Sequence, residues 1–339
     1  MPTRSGILLP LATAIALLVP SACLGPHVPT QPGTIDGPED PDLLATAHGT
    51  LVVLDRDDDS HLRVIRLPSL KERTVALSGH AASVSGPDDE GRVAYLVRTE
   101  GFDARKHTVR VLSLVNGSDA QVAERSSPDD MSSQMALAPR GGLVAFTTAP
   151  DDYESTDSGP WNLEVIDVTS KKSARTTSTN AMRRPCWFPD GRQLAFFEWR
   201  PDDRKTFTSL LDAASGSRHL VRETDGQEWL QGVAADGRTL MYALAGEGER
   251  ARRVDVATGK SWEEDLRLPG LYRSDVVADL GDARFLYSAL PTSGVEQRLR
   301  RGYVWPNDVK LADARTGKFV TVVRQMWGVA SYGAFDREP

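Results

Sequence analysis

The sequence contains very little cysteine, because its 339 residues include only Cys23 and Cys186. No Cys-x-x-Cys pair is present, which excludes the common zinc-ribbon and dithiol redox motifs. The six histidines are scattered without the spacing of metal ligands, and His-Glu-x-x-His, Gly-x-Ser-x-Gly and Walker sequences are all absent. The sequence therefore has no recognisable catalytic motif, and we expect neither a metal nor a cofactor.

An excess of positive charge is also missing. The formal net charge is −7, with 26% charged and 40% hydrophobic residues. A nucleic-acid-binding surface needs a basic patch or stripe, so we predict no nucleic-acid partner. The composition is that of an ordinary soluble globular protein, and the length allows one large β domain or two smaller domains.

The only long apolar run lies near the N-terminus. Arg4 precedes Ile7–Val19, a run too short for a comfortable transmembrane helix and typical of a signal peptide. Ser21-Ala22-Cys23 then resembles the cleavage box of bacterial lipoproteins, in which the cysteine becomes the lipid-modified N-terminus. Pro20 stands where that box prefers leucine, so an ordinary secretory signal is the alternative. We predict a signal peptide over 1–22, export to the cell envelope, and membrane attachment only through a lipid on Cys23.

The next stretch, residues 23–43, is rich in proline and glycine. It contains five prolines between Pro26 and Pro41 and has no aromatic residue or hydrophobic periodicity. Such a composition cannot bury enough apolar surface to order itself. We therefore predict a semi-extended tether that holds a following domain away from a membrane surface.

One short stretch of the remaining chain has the pattern of a tight hairpin. Pro189-Asp190-Gly191 separates the apolar run Cys186–Phe188 from the run Leu194–Phe197. Proline presets φ at the first corner of a type I turn, aspartate suits the next position, and glycine takes the exit. Because both runs are short and rich in aliphatic and aromatic residues, they predict two antiparallel strands.

Degraded copies of this hairpin recur at 85–95, 137–146, 233–242 and 278–287. Every copy carries an aromatic residue at the same place in its second strand, at spacings of 51, 50, 46 and 45 residues: Tyr95, Phe146, Phe196, Tyr242 and Tyr287. A repeat of this length built from short strands is typical of a β-propeller with one four-stranded blade per repeat.

The predicted fold is an all-β, six-bladed propeller over residues 44–339, with seven blades as the alternative. Thr50–Leu54 begins a first blade for which we find three strands and no inner strand. Trp327–Gly333 follows the sixth blade and has the pattern of an inner strand without a blade of its own. We predict that the two strands pair and close the ring, which leaves no open sheet edge between them.

The segment from Trp187 to Phe196, with its central Pro-Asp-Gly, resembles the WD40-like repeat of TolB-type six-bladed propellers. The resemblance covers residues 44–339 as one good copy and four eroded ones, and it implies the fold. The same repeat forms the propeller part of prolyl-oligopeptidase-like enzymes, but this chain has no room for their hydrolase domain. TolB has a separate N-terminal α/β domain that we do not find here, so the resemblance does not carry over TolB's role as a periplasmic partner of an envelope lipoprotein.

Long loops between second and third strands predict a binding rim, because binding residues concentrate on such loops. The loops at 149–161 and 291–307 contain aromatic and arginine residues, which are the types that most often anchor protein interfaces. The alternative is that these loops are only variable and solvated. The candidate rim residues are Tyr153, Trp161, Arg298, Arg301, Tyr303 and Trp305.

A second candidate site is the mouth of the central channel, which residues just before each inner strand should line. Mixed charge at such a mouth often only solvates the tunnel, and a ligand or metal site is the alternative. The candidates are Asp129, Asp130, Arg183, Arg184, Glu228, Trp229, Tyr272, Arg273 and Asp275.

The function predicted from the sequence is a non-catalytic protein-binding or scaffold module of the bacterial cell envelope. Its partner would be an envelope protein or a glycan, and we expect the chain to be a monomer on the periplasmic or extracellular face. A lactonase-like, metal-dependent hydrolase with carboxylates at the channel is one alternative, and a carbohydrate-binding propeller is another. Three or four carboxylate or amide side chains converging at the channel mouth would favour the enzyme.

Overall fold

Short strands separated by turn residues build nearly all of the described structure. The computed structural model describes residues 39–55, 58–98, 106–126, 135–148, 161–179, 181–200, 205–225, 228–244, 250–268, 271–289, 307–326 and 329–336, some of them at strand ends by backbone only. These residues belong to one compact unit, Thr34–Pro339. Within them, no helix is long and apolar enough to cross a membrane.

The first three blades are four-stranded antiparallel sheets. Blade one contains β1 (Gly49–Leu54), β2 (His61–Leu67) and β3 (Glu72–Ala76). Blade two contains β4 (Ala81–Val84), β5 (Arg92–Arg98), β6 (Lys106–Ser113) and β7 (Asp119–Ser126). Blade three contains β8 (Met135–Leu137), β9 (Leu143–Thr148), β10 (Trp161–Asp167) and β11 (Ser173–Thr179).

The last three blades repeat the pattern, and the final strand returns to blade one. Blade four contains β12 (Ala181–Trp187), β13 (Gln193–Arg200), β14 (Lys205–Asp212) and β15 (Arg218–Thr224). Blade five contains β16 (Glu228–Val233), β17 (Thr239–Leu244), β18 (Arg250–Asp255) and β19 (Ser261–Asp265). Blade six contains β20 (Leu271–Gly281), β21 (Arg284–Ala289), β22 (Asn307–Asp313) and β23 (Lys318–Met326), and β24 (Val329–Gly333) is the fourth strand of blade one.

The inner strands form a closed ring. Each contacts the next in the order β24, β4, β8, β12, β16 and β20, and β20 contacts β24 again. In the described part of the chain this gives six sheets, so the protein is a six-bladed β-propeller and the predicted fold class is confirmed.

The ring closes where the sequence predicts it. β24 pairs antiparallel with β1, from Thr50 opposite Gly333 to Leu54 opposite Val329. The Thr50 hydroxyl also donates a hydrogen bond to the carbonyl oxygen of Phe335 over 2.7 Å. The C-terminal strand therefore supplies the inner strand that blade one lacks in its own sequence.

The recurring aromatic residues fill the spaces between blades. All five lie on second strands and are at most 1% exposed: Tyr95, Phe146, Phe196, Tyr242 and Tyr287. Phe196, for example, packs in one cluster with Leu163 and Val165 of the preceding blade. Because each such side chain bridges two sheets, the apolar core is distributed around the ring.

The Pro-Asp-Gly hairpin has the predicted geometry. The Gly191 amide donates to the Phe188 carbonyl over 2.9 Å, and Gly191 has a φ of 68°. A Cβ atom at this position would lie 2.4 Å from the carbonyl oxygen of Arg140 in the preceding blade. Glycine is therefore required here by the backbone conformation and by the packing of blade four on blade three.

Residues 39–46 pack on blade six, and we refer to them as the N-terminal strap. Glu39 forms a parallel bridge to Phe319, and the Asp40 amide donates to the Phe319 carbonyl over 2.7 Å. A 3₁₀ helix then runs from Pro41 to Thr46. The sequence placed the start of the repeat domain near Leu44, and the five residues before it already lie against blade six.

Three inner strands begin earlier than the sequence indicates. The hydrophobic pattern predicts inner strands over 186–188, 232–234 and 276–278, whereas β12, β16 and β20 begin five, four and five residues earlier. Their pairing with the second strands shifts register between Arg183 and Cys186, between Leu230 and Gly232, and between Leu271 and Val276. Such bulges interrupt the alternation of apolar and polar residues. The first half of each of these strands therefore cannot be recognised from the hydrophobic pattern.

Candidate functional site

The predicted rim residues lie mainly outside the described residues. This holds for Tyr153, Arg298, Arg301, Tyr303 and Trp305, and for the predicted lipid-bearing Cys23. Trp161 is the first residue of β10, which is described there by its backbone. The strands joined by residues 149–160 and 290–306 are β9 with β10 and β21 with β22, and their ends define what we call the long-loop rim.

The predicted channel-mouth residues fall on three inner strands. Arg183 and Arg184 lie in β12, and Tyr272, Arg273 and Asp275 lie in β20; all five are described by their backbone. Glu228 and Trp229 open β16 and are described with their side chains. Asp129 and Asp130 lie outside the described residues.

The carboxylate of Glu228 is buried between blades four and five. Its side chain is 6% exposed, and Arg222 of β15 donates to it from Nε over 2.6 Å and from Nη2 over 2.9 Å. Arg252 of β18 donates from Nη1 to the same carboxylate, at Oε1. The hydrogen bond to Glu228 raises the pKa of Arg222 above its ordinary value, although burial opposes the shift.

Further charges extend this arrangement into what we call the Glu228 cluster: Arg222, Glu228, Arg250, Arg252, Glu263 and Asp265. Arg252 donates to Glu263 over 2.5 Å, and Arg250 lies 3.7 Å from Asp265. The cluster holds three guanidinium and three carboxylate groups and is therefore balanced. Because two arginines already bind Glu228, a metal at its carboxylate would have to compete with those ion pairs.

Sequence reasoning found Glu228 but missed its arginine partners. Arg252 and Glu263 are directly opposite each other on β18 and β19, a pairing that the strand register could have suggested. The contact between Arg222 and Glu228 joins two blades and depends on how one sheet rotates against the next. No local pattern in the sequence carries that information.

Trp229, the other predicted channel-mouth residue with a described side chain, packs against blade four. Its ring centroid lies 5.8 Å from that of Phe197 in blade four, at an interplanar angle of 39°. Trp229 is half-buried against the apolar cluster between the two blades. Together with Glu228 it fixes the start of the inner strand below the long-loop rim.

A pocket lies on the opposite, short-turn rim, between blades five and six. It has a volume of about 300 Å³ and Trp262 on its wall, and we call it the Trp262 pocket. Arg253 donates hydrogen bonds to Glu264 and to Asp279, the latter over 2.8 Å. Burial acts to lower the pKa of Arg253, but these hydrogen bonds outweigh it and the pKa is raised. The remaining lining residues are Ala234, Ala235, Asp236, Gly281, Asp282 and Ala283.

The described side chains include no group of three or more histidine, cysteine, aspartate or glutamate residues placed to hold a metal ion. Glu228 is the one predicted channel-mouth carboxylate among them, and it is engaged in ion pairs.

Comparison with solved structures identifies the architecture. The chain superposes on TolB from Acinetobacter baumannii with a TM-score of 0.59 and 13% identity, over 84% of this chain and 66% of that one. A TolB-type protein from Agrobacterium tumefaciens gives a TM-score of 0.54 at 13% identity, over 84% and 98% of the two chains. The chain has the TolB-like six-bladed β-propeller fold.

The TolB-like propeller fold also matches a chain of the nidogen/laminin complex, with a TM-score of 0.54 and 14% identity over 84% of this chain and 99% of that one. No protein-family model matches the chain, and no curated protein matches it. At these identities the similarity establishes the fold, and the function has to be argued from the residues of this chain.

Proposed function

We propose that this TolB-like propeller is an exported, lipid-anchored, non-catalytic binding module of the bacterial cell envelope. Cys23 would carry the lipid, and the long-loop rim would carry the partner. The partner would be an envelope protein bound through the aromatic and arginine residues of the rim: Tyr153, Trp161, Arg298, Arg301, Tyr303 and Trp305.

The observation that carries this proposal is the ionic environment of Glu228. A hydrolase that uses channel carboxylates needs them free to bind a metal or to move a proton. Arg222 and Arg252 instead bind the buried Glu228 carboxylate, as part of the charge-balanced Glu228 cluster. This arrangement supports a rigid platform for the loops above it better than it supports a catalytic centre.

The solved structures that share the fold add weaker support. One of them is part of a complex between two proteins, nidogen and laminin. A propeller suits such a role because its loops project from a ring of tightly packed sheets, and loops on a rigid scaffold commonly carry binding residues.

Site-specific crosslinking in living cells tests the proposal. A photoreactive phenylalanine analogue at position 303 or 305 should crosslink to a discrete envelope protein. The same analogue at Leu220, an exposed apolar position on the outer strand of blade four, should not. The crosslinked protein, once identified and purified, should bind the wild-type chain and lose at least about tenfold in affinity for the double variant Tyr303→Ala, Trp305→Ala.

Two outcomes would contradict the proposal. Equal crosslinking at 220 and at 303 would mean that the long-loop rim is not the binding surface. A stoichiometric metal in the purified protein, lost together with a hydrolytic activity when Asp275 is replaced by asparagine, would favour the enzyme instead.

A further inference from the structure

Two carboxylates of the Trp262 pocket still have acceptor capacity. Glu264 accepts from Arg253 through Oε2, and its Oε1 has no hydrogen-bond partner among the described residues. The Asp282 side chain is 76% exposed, and its carboxylate lies 3.9 Å from the guanidinium of Arg284, while Arg315 donates to the Asp282 backbone carbonyl over 2.8 Å. By contrast, both carboxylate oxygens of Asp236 and of Asp279 already accept hydrogen bonds from backbone or side-chain donors. Glu264 and Asp282 are thus the two groups that a ligand could engage without displacing an existing bond.

The charge of the pocket is negative even when neighbouring cations are counted. Its lining has four carboxylates and one guanidinium. Outside the lining, Arg284 lies beside Asp282, and the guanidinium of Arg315 lies 3.6 Å from the carboxylate of Asp313. Arg284 is the partner of Asp282 itself and Arg315 is that of Asp313, so five carboxylates face three guanidinium groups, and the excess of negative charge complements a cation.

An exposed aromatic ring completes the pocket. Trp262 is 41% exposed and lies on the outer strand of blade five, directly opposite Arg253. It is one of three large exposed apolar side chains among the described residues, with Val115 and Leu220, and it lines this pocket. An exposed indole beside carboxylates is the chemistry that holds a cationic group by its face and its charge together.

We infer that the Trp262 pocket binds an arginine side chain of the protein partner. The inference rests on the proposed function for the existence of that partner, and it adds a second contact on the opposite rim. The guanidinium would stack on the Trp262 indole and donate hydrogen bonds to Glu264 Oε1 and to the carboxylate of Asp282.

Arginine fits this pocket better than the other cationic or apolar groups. Its planar guanidinium both stacks on an aromatic face and pairs with carboxylates, whereas the lysine ammonium is compact and strongly hydrated. A volume of about 300 Å³ is at the low end for small-molecule sites, which suits one inserted side chain. Arginine and tryptophan are also among the residues that contribute most binding energy at protein interfaces.

Nuclear magnetic resonance of the tryptophan indoles in the full chain tests this directly. The chain has seven tryptophans, and Trp262→Phe identifies the resonance of interest by its loss. The probe is acetyl-Gly-Arg-Gly-amide, and the control is the same peptide with citrulline, which is uncharged but has the same shape. We expect a saturable shift of the Trp262 indole with the arginine peptide, weaker at high salt, and little change with citrulline.

Two substitutions, one of them a control, test the role of the Asp282 carboxylate. Asp282→Asn should weaken arginine-peptide binding about tenfold, and it preserves the turn because asparagine tolerates the positive φ of 57° at this position. Glu90→Gln removes the same charge from an exposed site in blade two and should leave the binding unchanged. The inference is wrong if the Trp262 resonance does not shift, if citrulline shifts it equally, or if Asp282→Asn has no effect.

These measurements test binding at the Trp262 pocket independently of the proposed function. A failure to crosslink any envelope protein at the long-loop rim would remove the proposed function and leave peptide binding intact. If a partner is found, Trp262→Ala should lower its affinity by at least about tenfold. An unchanged affinity would overturn the assignment of the arginine to that partner.

Discussion

At the scale of single residues, Lys310 is the clearest departure from ordinary protein chemistry. It lies in β22, is 0% exposed, and its Nζ has no hydrogen-bond partner among the residues that the structure describes. The amine sits 4.3 Å from the centroid of the Phe319 ring. Burial lowers the pKa of Lys310, and the charges of Asp308 and Glu39 offset this only in part. A buried amine without a hydrogen-bond acceptor costs stability that a hydrocarbon side chain would not.

We therefore expect Lys310→Met to raise the free energy of unfolding by about 2 kcal/mol at neutral pH. The lowered pKa means that the unfolded chain holds more protons than the folded chain between the folded pKa and the unfolded value of about 10.4. Wild-type stability from this group therefore rises with pH in that window, and the advantage of methionine should shrink near pH 10. Denaturant unfolding of both proteins at about pH 7 and about pH 10 measures this.

Lys260→Met is the control, because Lys260 is exposed in the turn after β18. It should change the free energy of unfolding by less than about 0.5 kcal/mol at either pH. If Lys310→Met were as neutral as this control, the buried amine would not carry the cost assigned to it.

Two glycines show how closely the end of the chain approaches blade two. A Cβ atom on Gly86 would lie 2.0 Å from the carbonyl oxygen of Tyr332, and one on Gly333 would lie 1.9 Å from that of Pro87. Both contacts are with backbone, which cannot move aside as a flexible side chain can.

Gly86→Ala should therefore destabilise the protein by about 3 kcal/mol, because the added methyl group must push β24 away from blade two. The matched control is Gly232→Ala, where a Cβ atom has no neighbour within 4 Å, and its cost should stay below about 1 kcal/mol. Thermal unfolding of the two variants compares them. Equal melting temperatures would mean that β24 can move away from blade two without loss of stability.

Individual residues differ in how far the sequence predicts them. The buried aromatics of the second strands recur at a regular interval and are therefore predictable from Tyr95 to Tyr287. The environment of Glu228 is not, since Arg222 reaches it from a different blade. Contacts between sheets depend on side-chain direction and blade rotation, and neither leaves a period in the sequence.

At the scale of elements, β24 is the strand on which ring closure depends. It pairs with β1 along five residues, and the Ser331 hydroxyl also donates to the Val84 carbonyl of blade two over 3.1 Å. The strand thus bonds to one blade through its backbone and to the next through a side chain.

Deleting residues 327–339 should abolish soluble expression, because it leaves the edge of β1 unpaired and uncovers the apolar faces of blades one and two. A shorter deletion of 337–339 removes no described residue and is the control. Gel filtration of both proteins gives the result, and a soluble monomer with an unchanged melting curve after the long deletion would show that β24 is dispensable.

Elements with uniform alternation are predicted better than bulged ones. The second and third strands, such as β21 and β22, pair continuously and match their hydrophobic pattern. The inner strand β20 has three register shifts along its pairing with β21, and its start is missed by five residues. A bulge changes which residues face the core, so a reading based on period two fails there.

At the scale of the whole molecule, one prediction concerns how the protein is attached to a membrane. Cys23→Ser should move the protein from the membrane fraction to the soluble fraction, because serine lacks the thiol that would carry the lipid and we predict no other membrane attachment. Cell fractionation with mass spectrometry of the N-terminal peptide provides the measurement. A wild-type protein that is already soluble and carries no lipid mass would leave plain secretion as the remaining route.

The fold as a whole follows from the sequence because a repeat reports the same local structure several times. Five hairpins, one clear and four eroded, together specify blades of one kind, and the unpaired patterns at Thr50–Leu54 and Trp327–Gly333 specify how the ring ends. A binding surface is used once and leaves no such repetition, so the Trp262 pocket has no counterpart in the repeat.

Because β1 pairs with β24, the propeller ring can close only when synthesis of the chain is almost finished. β1 is the first of the described strands to leave the ribosome, and β24 is the last. Blade one therefore lacks its fourth strand through nearly all of translation. Domains fold as units as they emerge. A nascent chain therefore cannot hold the closed ring, and premature termination anywhere before β24 yields an open one whose first blade is exposed to proteases and to other chains.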